Sequence, residues 1–328
     1  MSDVIIRLDD HFRLMSALLA ATDYPRKSQQ IKPHGTHAHA RATARHLKAY
    51  QDHPAVQGLQ SLLDSGAPLE APFTLVGHLP WPSLKIGTLP KWVPPGWDGH
   101  LADFYEQAAL DEWWSENKHL WDAAHSQSER VFRGVAFRDF LSQFLGPVSE
   151  ELVFVPNICY PTNRSLALRV GEQQLVAICP PRLAWGDSPP WPFDEDKPYI
   201  HHVALAQYTR LLLLSYLRAH SDIAVEVAKH ELPVGDQFKS LYPTWGEQFV
   251  TIFVHATTAI YLGGMNRAEK RAYVKEQTKV HKMHILPGAV NVLERYLQER
   301  ENGKFETLAD FLPVFPKQLK VAKRIISM

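Results

Sequence analysis

Three short β-prone runs, at 151–155, 165–170 and 174–178, sit between two long stretches whose apolar residues recur at helical spacing. That order constrains the fold more than any single motif. Helices, then a small sheet, then helices describe an α+β chain. The runs at 165–170 and 174–178 meet around Gly171-Glu172 and predict a hairpin. A fourth β-prone run lies at 4–8.

Before the sheet, Asp9 or Asp10 caps a helix over 11–22 that places Phe12, Met15, Leu18 and Leu19 on one face. Further helices are expected over 37–51 and 55–63. The 66–99 stretch carries Pro68, Pro72, Pro80, Pro82, Pro90, Pro94 and Pro95, which argues against a regular helix there. It also carries Phe73, Trp81, Trp92 and Trp97, so it reads as an ordered connection packed on a core. Helical spacing returns over 101–125 and 131–145, the latter stopped by Gly146-Pro147. After the sheet, helices are expected over 199–220, 245–262, 267–280 and 289–301. The sequence thus divides into an N-terminal, mostly helical part (1–148) and a core of sheet plus helices (149–328), expected to pack as one unit.

With 35 basic and 35 acidic residues among 328, the net charge gives no reason to expect nucleic acid or an anionic membrane as partner. Lys317, Lys320, Lys323 and Arg324 form a local basic run, read as a solvated helix face. Two cysteines, Cys159 and Cys179, offer no disulfide framework, and a reducing cytoplasmic setting is the simplest expectation. The first ten residues are too charged for a signal peptide, and no apolar run is long enough to span a bilayer.

His202 opens the apolar helix at 199–220. In a zinc peptidase helix, H-E-x-x-H sets two imidazoles one turn apart with a glutamate to activate water. Here Val203 stands where the glutamate belongs and Ala206 where the second histidine belongs. Starting at His201 instead puts His202 and Leu205 in those places. Glu247, early in the helix at 245–262, lies where a later zinc-ligating glutamate would fall.

Several stretches carry a resemblance: Tyr50-Gln51-Asp52-His53-Pro54-Ala55-Val56, Leu101-Ala102-Asp103-Phe104-Tyr105, and the pattern from Trp113 through His119 to Trp121. Further along are Leu152-Val153-Phe154-Val155-Pro156-Asn157, the His202 and Glu247 helices, and Phe305-Glu306-Thr307-Leu308-Ala309-Asp310-Phe311. With these, the chain resembles the bacterial zincin-like proteins called domain of unknown function 4932. The resemblance implies a zincin-like, gluzincin-type metallopeptidase core preceded by a helical part. It places H-E-x-x-H on His202 to Ala206, with only the first histidine kept, and the later ligand on Glu247.

A catalytic zinc site needs three protein ligands and a base, and His202 with Glu247 supply two ligands and no base. The expectation is a catalytically degenerate zincin-like protein, without zinc, that keeps its cleft for a peptide or protein ligand through strand addition. The cleft would hold His201, His202, Val203, Ala206, Glu247 and His255. A second reading is a metal-dependent hydrolase rebuilt around His202, Glu247 and His255, with His201 in reserve and zinc as cofactor. A third is an assembly protein that uses the Trp/Pro-rich surface.

Other groups read more plainly. His39, His46 and His53, spaced by seven with His34 and His37 nearby, suggest a polar helix face about 10 Å between neighbours, too far for one metal. His281 and His284 fall in a helix-end turn, and His230-Glu231 is broken by Pro233. Leu262-Gly263-Gly264-Met265 reads as a helix stop, the cysteines as small buried residues, and most of the nine tryptophans as packing.

Overall fold

The first strand, β1 (Val4–Ile6), leads into α1 (Asp10–Ala21) through Asp9, whose carboxylate accepts from the His11 N–H at 3.1 Å. That bond satisfies one of the donors a helix start leaves open. The computed structural model describes residues 2–28, 37–159, 164–182 and 191–326; His34 lies outside them, as does the side chain of Arg324. Next come α2 (Tyr24–Ser28), α3 (Ala38–His46), a 3-10 turn (Leu47–Tyr50) and α4 (Pro54–Asp64). His53 of the sevenfold-spaced set and the nearby His37 act as helix caps: ring nitrogens of His37 and His53 accept from the N–H groups of His39 and Ala55 at 3.0 and 3.2 Å.

The proline-rich connection does contain a helix, α5 (Glu70–Gly77), against the sequence expectation. Pro72 falls in its first turn, where a missing N–H costs no intrahelical bond. The helix expected over 101–125 is three segments, α6 (Trp97–Gln107), α7 (Leu110–Glu116) and α8 (Lys118–Phe132), with Ala109 at φ +46° turning the chain between the first two. Similarly, Gly134 at φ +74° ends α8 before α9 (Phe137–Leu145), where one helix was expected over 131–145.

The sheet adds β2 (Glu151–Pro156), β3 (Leu166–Val170) and β4 (Gln174–Cys179) in the order β1-β2-β4-β3. β1 and β4 run parallel to β2, with Ile5 opposite Val153 and Val153 opposite Val176. β3 and β4 form the expected antiparallel hairpin, with Leu168 opposite Val176. Central strands covered on both faces cannot alternate, which explains the unbroken apolar runs Leu152–Val155 and Leu175–Cys179. The remaining chain is helical: α10 (Lys197–Ala219), α11 (Ser221–Ala228), α12 (Asp236–Leu241), α13 (Trp245–Met265), α14 (Arg267–Lys279), α15 (Leu286–Glu301), α16 (Leu308–Phe311) and α17 (Phe315–Ile326). α13 runs through Gly263-Gly264, expected to be its stop, and ends at Met265 with Asn266 as its cap. Among the described residues, no helix is long and apolar enough to cross a membrane.

The chain forms two compact units. One comprises residues 1–135 and 150–204, the other 136–149 and 205–328. The sheet therefore belongs with the N-terminal helices rather than with α13 to α17, a division that does not follow chain order. In the first unit, Phe12, Leu18, Phe73, Trp97 and Phe104 pack with Val153 and Val176 of the sheet. Gly58 of α4 lets Trp97 close over it: a Cβ there would stand 2.6 Å from Trp97 Cδ1, while Trp97 Nε1 donates to the Ala55 carbonyl at 2.9 Å. In the second unit, α13 supplies Phe249 and Phe253 to a core completed by Leu286, Leu293, Tyr296 and Phe315.

Candidate functional site

On α10, His202 and Ala206 lie one turn apart and both are half-buried, with Val203 beside them. The backbone spacing of a two-imidazole site is present, but Ala206 and Val203 bring no ligand or base. His202 packs edge-on against Tyr199, ring centroids 5.0 Å apart. His201 is buried: its Nε2–H donates to the Val131 carbonyl at 2.9 Å, and its ring stacks on Phe132 at 5.5 Å. Burial pushes its pKa down to about 4, so it stays neutral above mild acidity.

Glu247 is an exposed capping residue. Its carboxylate accepts from the Thr244 N–H at 2.9 Å and the Thr244 hydroxyl at 2.7 Å, while Thr244 Oγ1 accepts from the Glu247 N–H at 3.2 Å. This is a capping box, and the Thr244 hydroxyl and N–H hold the carboxylate pKa below its usual range. His255, eight residues on, shares a 2.6 Å hydrogen bond with the Tyr273 hydroxyl. Burial, then the charge of His281, lowers its pKa to about 4. Eight helical residues span about 12 Å, so Glu247 and His255 occupy separate sites along α13. Among the described residues, no group of three or more histidine, cysteine, aspartate or glutamate side chains is gathered as metal ligands.

The other residues that stand out in the sequence are used in packing. Arg13 lies over the Trp121 ring, 4.2 Å from its centroid, and pairs with Asp10 at 3.1 Å. His39 is buried, stacked on Trp113 at 5.9 Å and edge-on to Trp121 at 5.5 Å. His46 stacks on Trp113 at 4.6 Å and bonds through Nε2 to the Ala108 carbonyl at 2.8 Å. Cys159 and Cys179 are fully buried, and burial raises both thiol pKa values to about 12. Neither is a nucleophile in this state.

The surface tells a different story in the second unit. Thirteen of the 35 cationic residues but only seven of the 35 acidic ones fall at 267–328, a segregation hidden by the neutral total. A groove of 610 Å³ runs between α14 and α15, with Val274, Pro287 and Val290 in its lining and Arg267, Arg271, Lys275 and Lys279 along its rim. Those four cations recur every fourth residue, so they share one face of α14. A second groove, 330 Å³, lies between α15 and α17, lined by Val292, Val321 and Ala322 with Arg295 and Lys317. Asn291 lines both. Neither lining contains a carboxylate. Lys270 and Arg295 are paired, with Glu294 at 2.5 Å and Glu299 at 2.8 Å, whereas Arg267, Arg271, Lys275, Lys279 and Lys317 make no ion pair among the described residues. From sequence alone Lys317 and its neighbours read as a solvated face, and α14 as an ordinary helix. The signal available was the fourfold spacing of α14 cations next to valines.

A third cavity, 520 Å³, is walled by residues 233–238 and the 282–287 turn, and shares Thr278 and Pro287 with the α14/α15 groove. No protein-family model, curated protein or solved structure matches this chain, so the zincin-like resemblance rests on its sequence motifs alone.

Proposed function

We propose that this chain is a binding protein without hydrolytic activity, whose ligand is an acidic amphipathic segment of another polypeptide laid along the α14/α15 groove. The observation that carries the reading is the lining itself: apolar floor, four cations at one helical face, and no carboxylate. A helix with glutamates on one face and leucines on the other would bury its leucines against Val274 and Val290 and meet Arg271, Lys275 and Lys279 at the rim. Rim charges of this kind steer association and fix orientation, while the floor provides the contact area. A bare polyanion would use only the rim, and among the groove's lining residues there is no aromatic ring on which a nucleobase could stack. The sequence supports a non-catalytic role independently, since the His202 helix lacks both the glutamate and the second imidazole of the peptidase motif.

Fluorescence anisotropy tests this with a labelled, designed Glu/Leu amphipathic helix of about 16 residues, the length of α15. The expected result is saturable binding that weakens with salt and drops about tenfold in the Arg271→Glu/Lys275→Glu variant. If polyglutamate or single-stranded nucleic acid of equal charge binds as tightly as the amphipathic peptide, the apolar floor contributes nothing and the reading fails.

A further inference from the structure

We infer that the 520 Å³ cavity beside the 282–287 turn is a separate site for a small organic anion, a carboxylate or phosphate monoester on a compact apolar body. Its volume lies within the range of small-ligand sites, and its walls combine an apolar surface with several polar and charged groups. Phe238, Met283 and Ile285 form the apolar part.

Three polar features set the sign of the ligand. Lys282 lines the cavity, makes no ion pair among the described residues, and is held at φ +57°, a conformation that side chains rarely adopt. The turn is fixed around it: the Met283 N–H donates to the Gln277 carbonyl at 3.0 Å and the His284 N–H to the Lys282 carbonyl at 2.9 Å. Strain of this kind, kept by surrounding bonds, is characteristic of ligand clamps. Lys323 reaches from α17 to the same cavity and donates to the Pro233 carbonyl at 3.0 Å. Thr278 Oγ1, also in the lining, is buried with no hydrogen-bond partner. A buried hydroxyl without a partner carries a desolvation cost that an acceptor oxygen would remove.

Asp236 is the one carboxylate in the lining, so two lysines leave a net positive charge before His284 is counted. An anionic head between Lys282 and Lys323, with its oxygen on Thr278, would place its apolar body on Met283 and Ile285. A neutral ligand of equal size would leave the Lys282 ammonium without a counter-charge.

The site is tested by titrating octanoate, octyl phosphate and octanol into the full chain and following the Met283 methyl signal by NMR. Met283 lines this cavity and not the α14/α15 groove, so its signal separates this outcome from that of the groove reading. Both anions are expected to shift the Met283 signal at concentrations about tenfold below octanol. The tighter of the two identifies the headgroup. Lys282→Met is expected to weaken the anions severalfold and leave octanol unchanged, and Asp236→Asn to tighten the anions. Equal binding of octanol and octanoate, or insensitivity of the anions to both substitutions, would overturn the assignment. Both residues are exposed, and an unchanged circular dichroism spectrum confirms that each variant is folded.

Discussion

The two compact units treat charge in opposite ways. In the first, several polar and charged groups are drawn inward against specific neighbours: Arg13 lies on Trp121, His201 is bonded to Val131, and Asn157 donates to Ser16 Oγ at 2.7 Å. In the second, the core is made of Phe249, Phe253, Tyr296 and their apolar neighbours, and Arg267, Arg271, Lys275, Lys279 and Lys317 stand along grooves without an ion pair among the described residues. Buried polar groups must be satisfied locally and so specify a single packing. Exposed charges of one sign, left without partners, remain available to another molecule. Residue type therefore says less about function here than where the side chain is directed.

Substitutions probe this contrast, starting with the deepest. Trp121→Ala removes the ring under Arg13 and beside His39, and is expected to cost about 3–5 kcal/mol in chemical denaturation. A loss below 1 kcal/mol would mean that the inward cluster contributes little. Acid comes next. His39, His201 and His255 have folded pKa values of about 4 against an ordinary 6.5, each lowered first by burial. Between those values the unfolded chain binds protons that the folded one refuses, so stability is full above pH 6.5 and falls as pH drops toward 4. His201→Gln should flatten that slope in pH-dependent melting; an unchanged slope would assign the acid sensitivity elsewhere.

Gly58→Ala is a finer test of packing against propensity. On an isolated helix the change stabilises by up to about 1 kcal/mol. Here the new methyl meets a buried indole, and a net loss of about 1–3 kcal/mol is expected on thermal melting. In the second unit, Thr244→Ala opens the α13 capping box and should cost about 1 kcal/mol. The metal content of the chain, measured by mass spectrometry, should stay substoichiometric in zinc with or without Glu247→Gln; a full zinc complement lost in that variant would restore Glu247 as a ligand. Smallest of all, Lys275→Ala should change stability by less than about 0.5 kcal/mol while weakening the acidic peptide.

Much of the architecture was legible from periodicity. The hairpin around Gly171, and α13, α14 and α15, fall where apolar spacing and turn residues put them, because those signals are local. The breaks in the 101–145 region were not legible. Ala109 has no sequence mark of a left-handed residue, and its neighbours Ala108 and Leu110 are both buried in one core. The pairing of β1 with β2 was equally hidden, since nearly 150 residues separate Ile5 from Val153. At the level of the site, rare residue types in suggestive order are the most visible sequence signal, and here they mislead. Glu247 sits three residues after Thr244, which is capping-box spacing, and that short-range job explains its position without a metal. Groove-lining lysines are common residues: their fourfold spacing on α14 marks a cationic face, but which helix lies beside that face is not carried by any local pattern.

The two deeply shielded sulfurs of the first unit make a built-in clock for its opening. With Cys159 and Cys179 at zero exposure, and both thiols held protonated, a thiol-alkylating reagent can reach neither while the sheet is intact. Mass added during a brief reagent pulse would therefore count the molecules in which that unit has opened, Cys179 reporting on the end of β4 and Cys159 on the segment after β2, without an engineered label.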